Sequence, residues 1–341
     1  MESKKSIAII GAGIAGLEAA TQLINAGYSV TLIEKKPRTG GHINDWYCLF
    51  PDFRPSSEIK NNYRDIEKKG VHLLLETKVE KINTNPKGFT LALSNGSYLS
   101  AHAILCATGF NVFDARKKEE YGYGIYDNVI TAKDFEKEFF GKDTFTIANG
   151  KLPKRIGWVH CVGSRDEKAG NIYCSKVCCI TGVKQAIEIR RKLPQTEVFC
   201  FYMDLRMFGR HYEELYKEAQ EKWGVNFIRG RLSEACENPD GSLLLKMEDT
   251  LAGKPLKMSV DLLVLLAGFV PPDNIGKMKD LLGIALGNDG FILPVDEHLS
   301  PNVTQVKGVF VAGTCTGAKT IPETLADARS AALKIMEYLK K

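Results

Sequence analysis

An apolar strand, Ser6–Ile10, runs straight into Gly11-Ala12-Gly13-Ile14-Ala15-Gly16, and no other feature of the chain restricts its fold as strongly. A G-x-G-x-x-G between a strand and a helix marks the first turn of a doubly wound α/β domain that binds a dinucleotide. Gly11 permits the tight turn, Gly13 lets a pyrophosphate reach the backbone, and Gly16 lets helix and strand pack closely. The helix start offers unpaired N–H groups and the positive end of its dipole to the phosphates. Glu34 follows 18 residues after Gly16, at the end of a second strand over Tyr28–Ile33. A carboxylate there can accept both hydroxyls of an adenosine ribose.

The same plan occurs twice. Ile156–His160 reads as a strand, Cys178–Leu193 as a helix and Glu197–Tyr202 as the next strand. Leu262–Leu266 with Ala267-Gly268-Phe269 answers Ala103–Cys106 with Ala107-Thr108-Gly109-Phe110. Ile7 and Ile156, Gly70 and Gly224, and Gly109 and Gly268 lie 149, 154 and 159 residues apart, a near-constant period that indicates a duplicated unit. After the second copy the chain returns to the first through a buried strand, Gly308–Ala312, and a helix over Pro322–Leu339. The expected architecture is therefore α/β, with a discontinuous first domain over 1–115 and 275–341 and a second Rossmann-like domain, 116–274, inserted into it.

The second copy lacks its fingerprint. Cys161 and Gly163 stand where Gly11 and Gly13 stand in the first, and nothing near them reads G-x-G-x-x-G. A side chain at 161 crowds the point where a phosphate must meet backbone, which disfavours nicotinamide dinucleotide binding. Instead Cys161, Cys174, Cys178 and Cys179 are spaced C-x12-C-x3-C-C, the last two opening a helix whose dipole favours thiolates. Four thiolates suit zinc or an iron–sulfur cluster. Structural zinc sites favour C-x2–4-C pairs, and the absence of any C-x-x-C points to a cluster. Zinc, and cysteines that are merely buried or disulfide-bonded, are the other readings of the same residues. Of the remaining cysteines, Cys106 and Cys200 lie in apolar strands, Cys48 and Cys236 have no motif around them, and Cys315 sits beside Gly313-Thr314.

Composition closes off other classes. Charged residues make up 26% of the 341, their net charge is only +5, and the basic ones are scattered, so no nucleic-acid partner is expected. No apolar run approaches membrane-spanning length, and the start MESKKSIAIIGAG has no signal-peptide pattern. Nine cysteines without an export signal argue for a reducing compartment, so a cytoplasmic location is expected.

Gly40-Gly41-His42, Ala107-Thr108-Gly109 and Gly308-Val309-Phe310-Val311-Ala312-Gly313 resemble the two-dinucleotide flavoproteins that include thioredoxin reductase. That resemblance implies FAD in the first domain. The implied binding set is Gly11, Gly13, Ala15, Gly16, Glu34, Lys35, Gly41, His42, Val79, Ala107, Thr108, Gly109, Gly313, Thr314, Ile321 and Pro322. Thr314 replaces the aspartate usual in that family, leaving a hydroxyl for the contact. The helix starting at Ile321-Pro322 would point at the flavin pyrimidine edge, with Lys319 adding charge as the catalytic candidate.

His160-Cys161-Val162-Gly163-Ser164-Arg165 with Tyr173-Cys174-Ser175-Lys176-Val177-Cys178-Cys179 resembles the core of the A-type flavin and iron–sulfur component of heterodisulfide reductase (HdrA). So do Tyr121-Gly122-Tyr123-Gly124, Asn128-Val129-Ile130-Thr131 and Gly313-Thr314-Cys315. The resemblance implies a [4Fe–4S] cluster on the four cysteines, FAD in the first domain, and B- and C-like partner subunits around a homodimer. The methanogen protein carries further cluster regions and ferredoxin-like C-x2-C-x2-C-x3-C segments that this sequence lacks. It therefore resembles the short, single-cluster form in the heterodisulfide-reductase-like complexes of sulfur oxidisers. The implied function is electron transfer between flavin and partner subunits in sulfur and disulfide metabolism. A stand-alone NAD(P)H-dependent flavin oxidoreductase of the thioredoxin reductase type would need a second glycine fingerprint and a dithiol, and a non-catalytic assembly module is the third class.

Overall fold

A computed structural model describes residues 4–140, 142 and 144–340. Met1–Ser3 and Lys341, the ends of the expected first domain, lie outside the described residues. The chain forms two compact units: Met1–Asn44 with Ser57–Asn111 and Val270–Lys341, and Asp45–Ser56 with Val112–Phe269.

The first unit is built on a five-stranded parallel sheet ordered Val309–Val311, Ala103–Cys106, Ser6–Ile10, Ser29–Ile33, His72–Leu74. Its central strands are apolar and buried on both faces apart from Ser6, as parallel strands covered by helices must be. Leu17, Ala20 and Leu23 of helix Ile14–Asn25 join Ala328, Ala331 and Ile335 of helix Ile321–Lys340 in one core under the sheet. An antiparallel meander, Val79–Asn85, Gly88–Leu93 and Tyr98–Ala101, follows the third parallel strand in sequence. The helical stretch expected over Glu58–Lys69 is shorter, Ser56–Asn61, and continues as turns through Gly70. Two successive asparagines, which compete for backbone hydrogen bonds, stand where the helix stops.

The second unit repeats the plan. Its parallel sheet is ordered Asn226–Arg229, Glu197–Tyr202, Arg155–Val162, Leu262–Ala267, Val129–Thr131, with a meander over Leu232–Glu237, Leu243–Asp249 and Lys254–Val260. In both units the opening strand lies between the second and the closing strand. Helix Cys178–Lys192 differs from its counterpart: every residue from Cys178 to Ile189 is buried, charged ones included.

Asp45–Ser56, placed in the first domain from sequence, groups with the second unit. The reason is polar. Lys184 Nζ donates to the Cys48 carbonyl at 3.0 Å, the Tyr47 N–H donates to Glu136 Oε2 at 3.0 Å, and Lys133 pairs with Asp45 at 2.9 Å.

Candidate cofactor sites

In the first unit the three fingerprint glycines meet different constraints. Gly11 has φ +108°, and a Cβ on it would lie 2.4 Å from the Ala107 carbonyl oxygen. A Cβ on Gly16 would lie 2.0 Å from the Gly11 oxygen, so helix and turn close on each other only through hydrogen atoms. Around Gly13 nothing comes within 4 Å of the Cβ position, which leaves open space in front of the helix start. Gly41 approaches Gly13 from the other side, and the Gly40 N–H donates to the Ala12 carbonyl at 2.8 Å.

Glu34 is buried at the strand end, as its position requires, and both its oxygens hold backbone. The Ala12 N–H donates to Oε2 at 2.8 Å and the Lys36 N–H to Oε1 at 2.9 Å. The carboxylate therefore ties the glycine turn to the second strand; each oxygen keeps a further lone pair for a hydroxyl. Lys35 next to it is exposed, and Val79 is buried with Ile10 and Ile33. His42 stacks on Phe110, ring centroids 4.3 Å apart, with Nε2 2.8 Å from the Phe110 carbonyl.

The closing segments converge. A Cβ on Gly313 would stand 2.7 Å from the Ala15 methyl, and the Cβ position of Gly109 lies 3.7 Å from Thr314 Oγ1. Thr108 Oγ1 reaches the Cys106 sulfur at 3.7 Å. Ile321 and Pro322 open the last helix, capped by Thr320: its backbone N–H and hydroxyl donate to Glu323 at 2.8 and 2.9 Å. Proline is thus the second helical residue, still within the turn whose N–H groups have no partner in the helix.

Lys319 is held from several sides. Its ammonium donates to the Gly313 carbonyl at 3.1 Å and Thr316 Oγ1 at 2.5 Å, and lies 3.6 Å from Asp327. Sequence reasoning missed Asp327. Its carboxylate accepts the Gly313 N–H at 2.7 Å and the Asn302 side-chain amide at 2.7 Å, and so fixes the closing turn. A carboxylate two turns into a helix carries no motif. Cys106 and Cys315 also meet: both are fully buried, their thiols share a hydrogen bond, and Cys315 Sγ donates to the Ala312 carbonyl at 3.2 Å.

In the second unit the strand expected to end at His160 runs on to Val162, and Cys161 sits inside it with φ +61°. Its pairing with Leu262–Ala267 shifts register between Val159 and Val162, a bulge around Cys161. A left-handed backbone at a non-glycine residue is unusual and marks functional sites. Arg165 and Lys176 in the following loop share it, with φ +53° and +63°.

Three of the four cysteines come together. Cys178 hydrogen-bonds to both Cys161 and Cys179, and all three are buried. The Cys178 S–H bond, with His160 assisting, brings Cys179 down to about 4, against burial. The same donor lowers Cys161 to about 7, also against burial, while Cys178 keeps the shared proton and is raised. Cys178 has a single S–H to give, so it favours the thiolate at one neighbour at a time. Cys174 is half-buried on the loop, its sulfur accepting the Lys176 N–H at 3.3 Å, and shares no hydrogen bond with the other three among the described residues. Among the described residues, no three His, Cys, Asp or Glu side chains are gathered as a single-ion site would need.

Deeper in the same helix lies a buried charge network that sequence did not reveal. Lys184 Nζ donates to Glu136 Oε1 at 2.5 Å and lies 3.1 Å from Glu188. Gln185 donates to Glu136 at 2.8 Å and accepts from the Trp158 indole at 3.2 Å. Burial pushes the Glu188 carboxyl up to about 7, with Lys184 opposing the rise and Glu136 adding to it.

The fold and the chain's relatives agree. Thioredoxin reductases from T. acidophilum and Lactococcus lactis superpose with TM-scores of 0.67 and 0.68 at 18% and 19% identity, each comparison covering 99% of this chain and 99% or more of the other. At that identity the likeness establishes the fold alone: a thioredoxin-reductase-like flavoprotein fold, with the second dinucleotide-type unit inserted in the first. No described helix is long and apolar enough to cross a membrane. The A-type iron-sulfur subunit of CoB–CoM heterodisulfide reductase from Methanocaldococcus jannaschii is 34% identical over 97% of this chain and 64% of its own length. The A-type subunit of H2:CoB-CoM heterodisulfide,ferredoxin reductase from Methanothermobacter thermautotrophicus is 43% identical over 68% of this chain and 36% of its own. The chain thus spans less than two thirds of these relatives. The model of the pyridine nucleotide-disulphide oxidoreductases matches residues 2–134 and 179–332, leaving out the cysteine loop. On that match, the chain belongs to the pyridine nucleotide-disulphide oxidoreductase family and is an oxidoreductase.

Proposed function

We propose that this chain is an FAD- and [4Fe–4S]-containing electron-transfer subunit of a heterodisulfide-reductase-like complex. It relays electrons between flavin and partner subunits in sulfur or disulfide metabolism, in the cytoplasm, as a homodimer with B- and C-like subunits. The observation that carries the reading is Cys161, a cysteine held with left-handed backbone where the first unit needs glycine. It argues against a phosphate turn and for a thiolate turn.

Bound in the chain, the flavin supplies two-electron and the cluster one-electron chemistry. Gly11, Gly13 and Gly16 present the helix start to the pyrophosphate, and Glu34 takes the ribose. Gly41, His42, Val79, Ala107, Thr108, Gly109, Gly313 and Thr314 would hold the rest of the cofactor, with Ala15 and Lys35 beside the turn. Ile321 and Pro322 would turn a helix N-terminus toward the ring, and Lys319, held by Gly313, Thr316 and Asp327, would add positive charge beside it. Cys161, Cys178 and Cys179, already converged and buried, would supply three thiolates. Cys174, four residues before Cys178, supplies the fourth once the loop turns it inward. A cubane takes each thiolate on a separate iron, and a C-x12-C-x3-C-C spacing without any C-x-x-C favours it over a structural zinc ion.

Reductive titration of the anaerobically purified protein tests the relay. Low-potential dyes should reduce both cofactors, while NADH and NADPH leave the flavin yellow. Rapid flavin bleaching by NADPH alone would favour a stand-alone NAD(P)H-dependent flavin oxidoreductase.

A further inference from the structure

His160 precedes Cys161 in the opening strand and is 6% exposed, yet neither of its ring nitrogens makes a well-formed hydrogen bond, the Cys179 thiol being the one partner within reach. Burying such a group without a well-formed bond is costly, so native structures rarely keep one without a use. Its slot is specific. A Cβ on Gly182 would lie 3.1 Å from Nε2 and 2.7 Å from a Leu266 methyl, so the ring fits only because residue 182 is glycine. Gly182 is on the helix that starts with Cys178 and Cys179, less than one turn past Cys179. Glycine and leucine offer the imidazole no acceptor; the groups that feel its field are the Cys161 and Cys179 thiols.

We infer that His160 is a positioning residue for the cluster, donating an imidazole N–H to a cluster sulfur and thereby raising its reduction potential. Reduction adds negative charge to the sulfurs, so an N–H aimed at them stabilises the reduced form more than the oxidised one. The inference rests on the cluster reading above, and adds a direction: the cluster is tuned to accept electrons. His160 is not a ligand, because four thiolates complete the set.

The test compares EPR-monitored redox titrations of the wild-type protein, His160→Leu, His160→Gln and Ser164→Ala. The Ser164 hydroxyl is buried without a partner, but it faces Gly268 and Ser175. His160→Leu should keep the wild-type iron content while the ratio of reduced to oxidised cluster falls about tenfold at a fixed ambient potential. His160→Gln, which retains a donor, should recover part of that loss, and Ser164→Ala should show none. For a readout independent of variant folding, wild-type protein labelled with 15N-histidine should show a weak 15N coupling to the reduced cluster. An unchanged potential in His160→Leu, an equal shift in Ser164→Ala, loss of iron in His160→Leu, or no weak coupling would each overturn the inference. Absence of iron from the wild-type protein would overturn the cluster reading itself, a distinguishable failure.

Discussion

The two opening turns solve one geometric problem in opposite ways. In the first unit, three residues, Gly11–Gly13, join strand to helix, and the left-handed position is a glycine with φ +108°. In the second, fifteen residues, Gly163–Val177, make the connection, and the position that answers Gly11, near the end of the strand, is a left-handed cysteine with φ +61°. The duplicated sheet demands the same reversal at the end of its first strand. At the first turn the side chain is removed, as a phosphate site would need; at the second a sulfur-bearing side chain is kept and the strain is tolerated. The helices that follow differ too. Glu18 in the first is matched by Tyr63 at 2.6 Å, Gln22 at 2.9 Å and Arg329 at the surface. Lys184 in the second is sealed with two carboxylates.

The largest expected effect comes from that seal. Lys184→Met should lower stability by about 3–5 kcal/mol, because it strands Glu136 and Glu188 and releases the Cys48 carbonyl. Urea unfolding of the flavin-loaded protein measures it. A loss below 1 kcal/mol would mean that the network does not anchor Asp45–Ser56.

Exchanging the two turn residues sharpens the comparison itself. Gly11→Ala drives a methyl into the Ala107 carbonyl and should cost about 3 kcal/mol along with most flavin retention. Cys161→Gly in iron-free protein should stay within about 1 kcal/mol of wild type, since relieved backbone strain offsets the lost side chain. Equal losses from both would break the equivalence of the two positions.

Asp327→Ala comes next, at about 2 kcal/mol, since it leaves the Gly313 N–H and the Asn302 amide without their acceptor. Its loss should also speed flavin release, followed by fluorescence.

The smallest effect is a slope with pH. Glu188 is raised from 4.5 to about 7, so the folded chain holds its proton more tightly than the unfolded one does. Its contribution is therefore full below pH 4.5 and is lost as pH rises to about 7, at no more than about 1.4 kcal/mol per pH unit. Glu188→Gln should flatten thermal stability across that window; an unchanged slope would place the titration elsewhere.

The features legible in sequence were local or periodic. Ser6–Ile10 with its glycine turn, Glu34 at the strand end and the repeat of the whole plan depend on residues close together or regularly offset. Contacts made by tertiary folding were not legible. In sequence Cys106 reads as a core residue and Cys315 as a thiol beside Gly313-Thr314, and the parallel pairing of Val311 with Cys106 makes them neighbours. Asp327 looked like an ordinary helix carboxylate until the closing turn folded onto it. The strand's extension to Val162 escaped for a different reason: a bulge breaks the alternation that periodicity detects. Lys319 was expected to serve the flavin ring, and its ion pair with Asp327 could not be foreseen from spacing.

The most direct test of the account is the iron and acid-labile sulfide content of anaerobically purified protein, alongside Cys161→Ser and Cys178→Ser. About four iron and four sulfide per chain in the wild type, falling sharply in both variants, is the predicted result. One zinc per chain, or iron unchanged on losing Cys178, would contradict it.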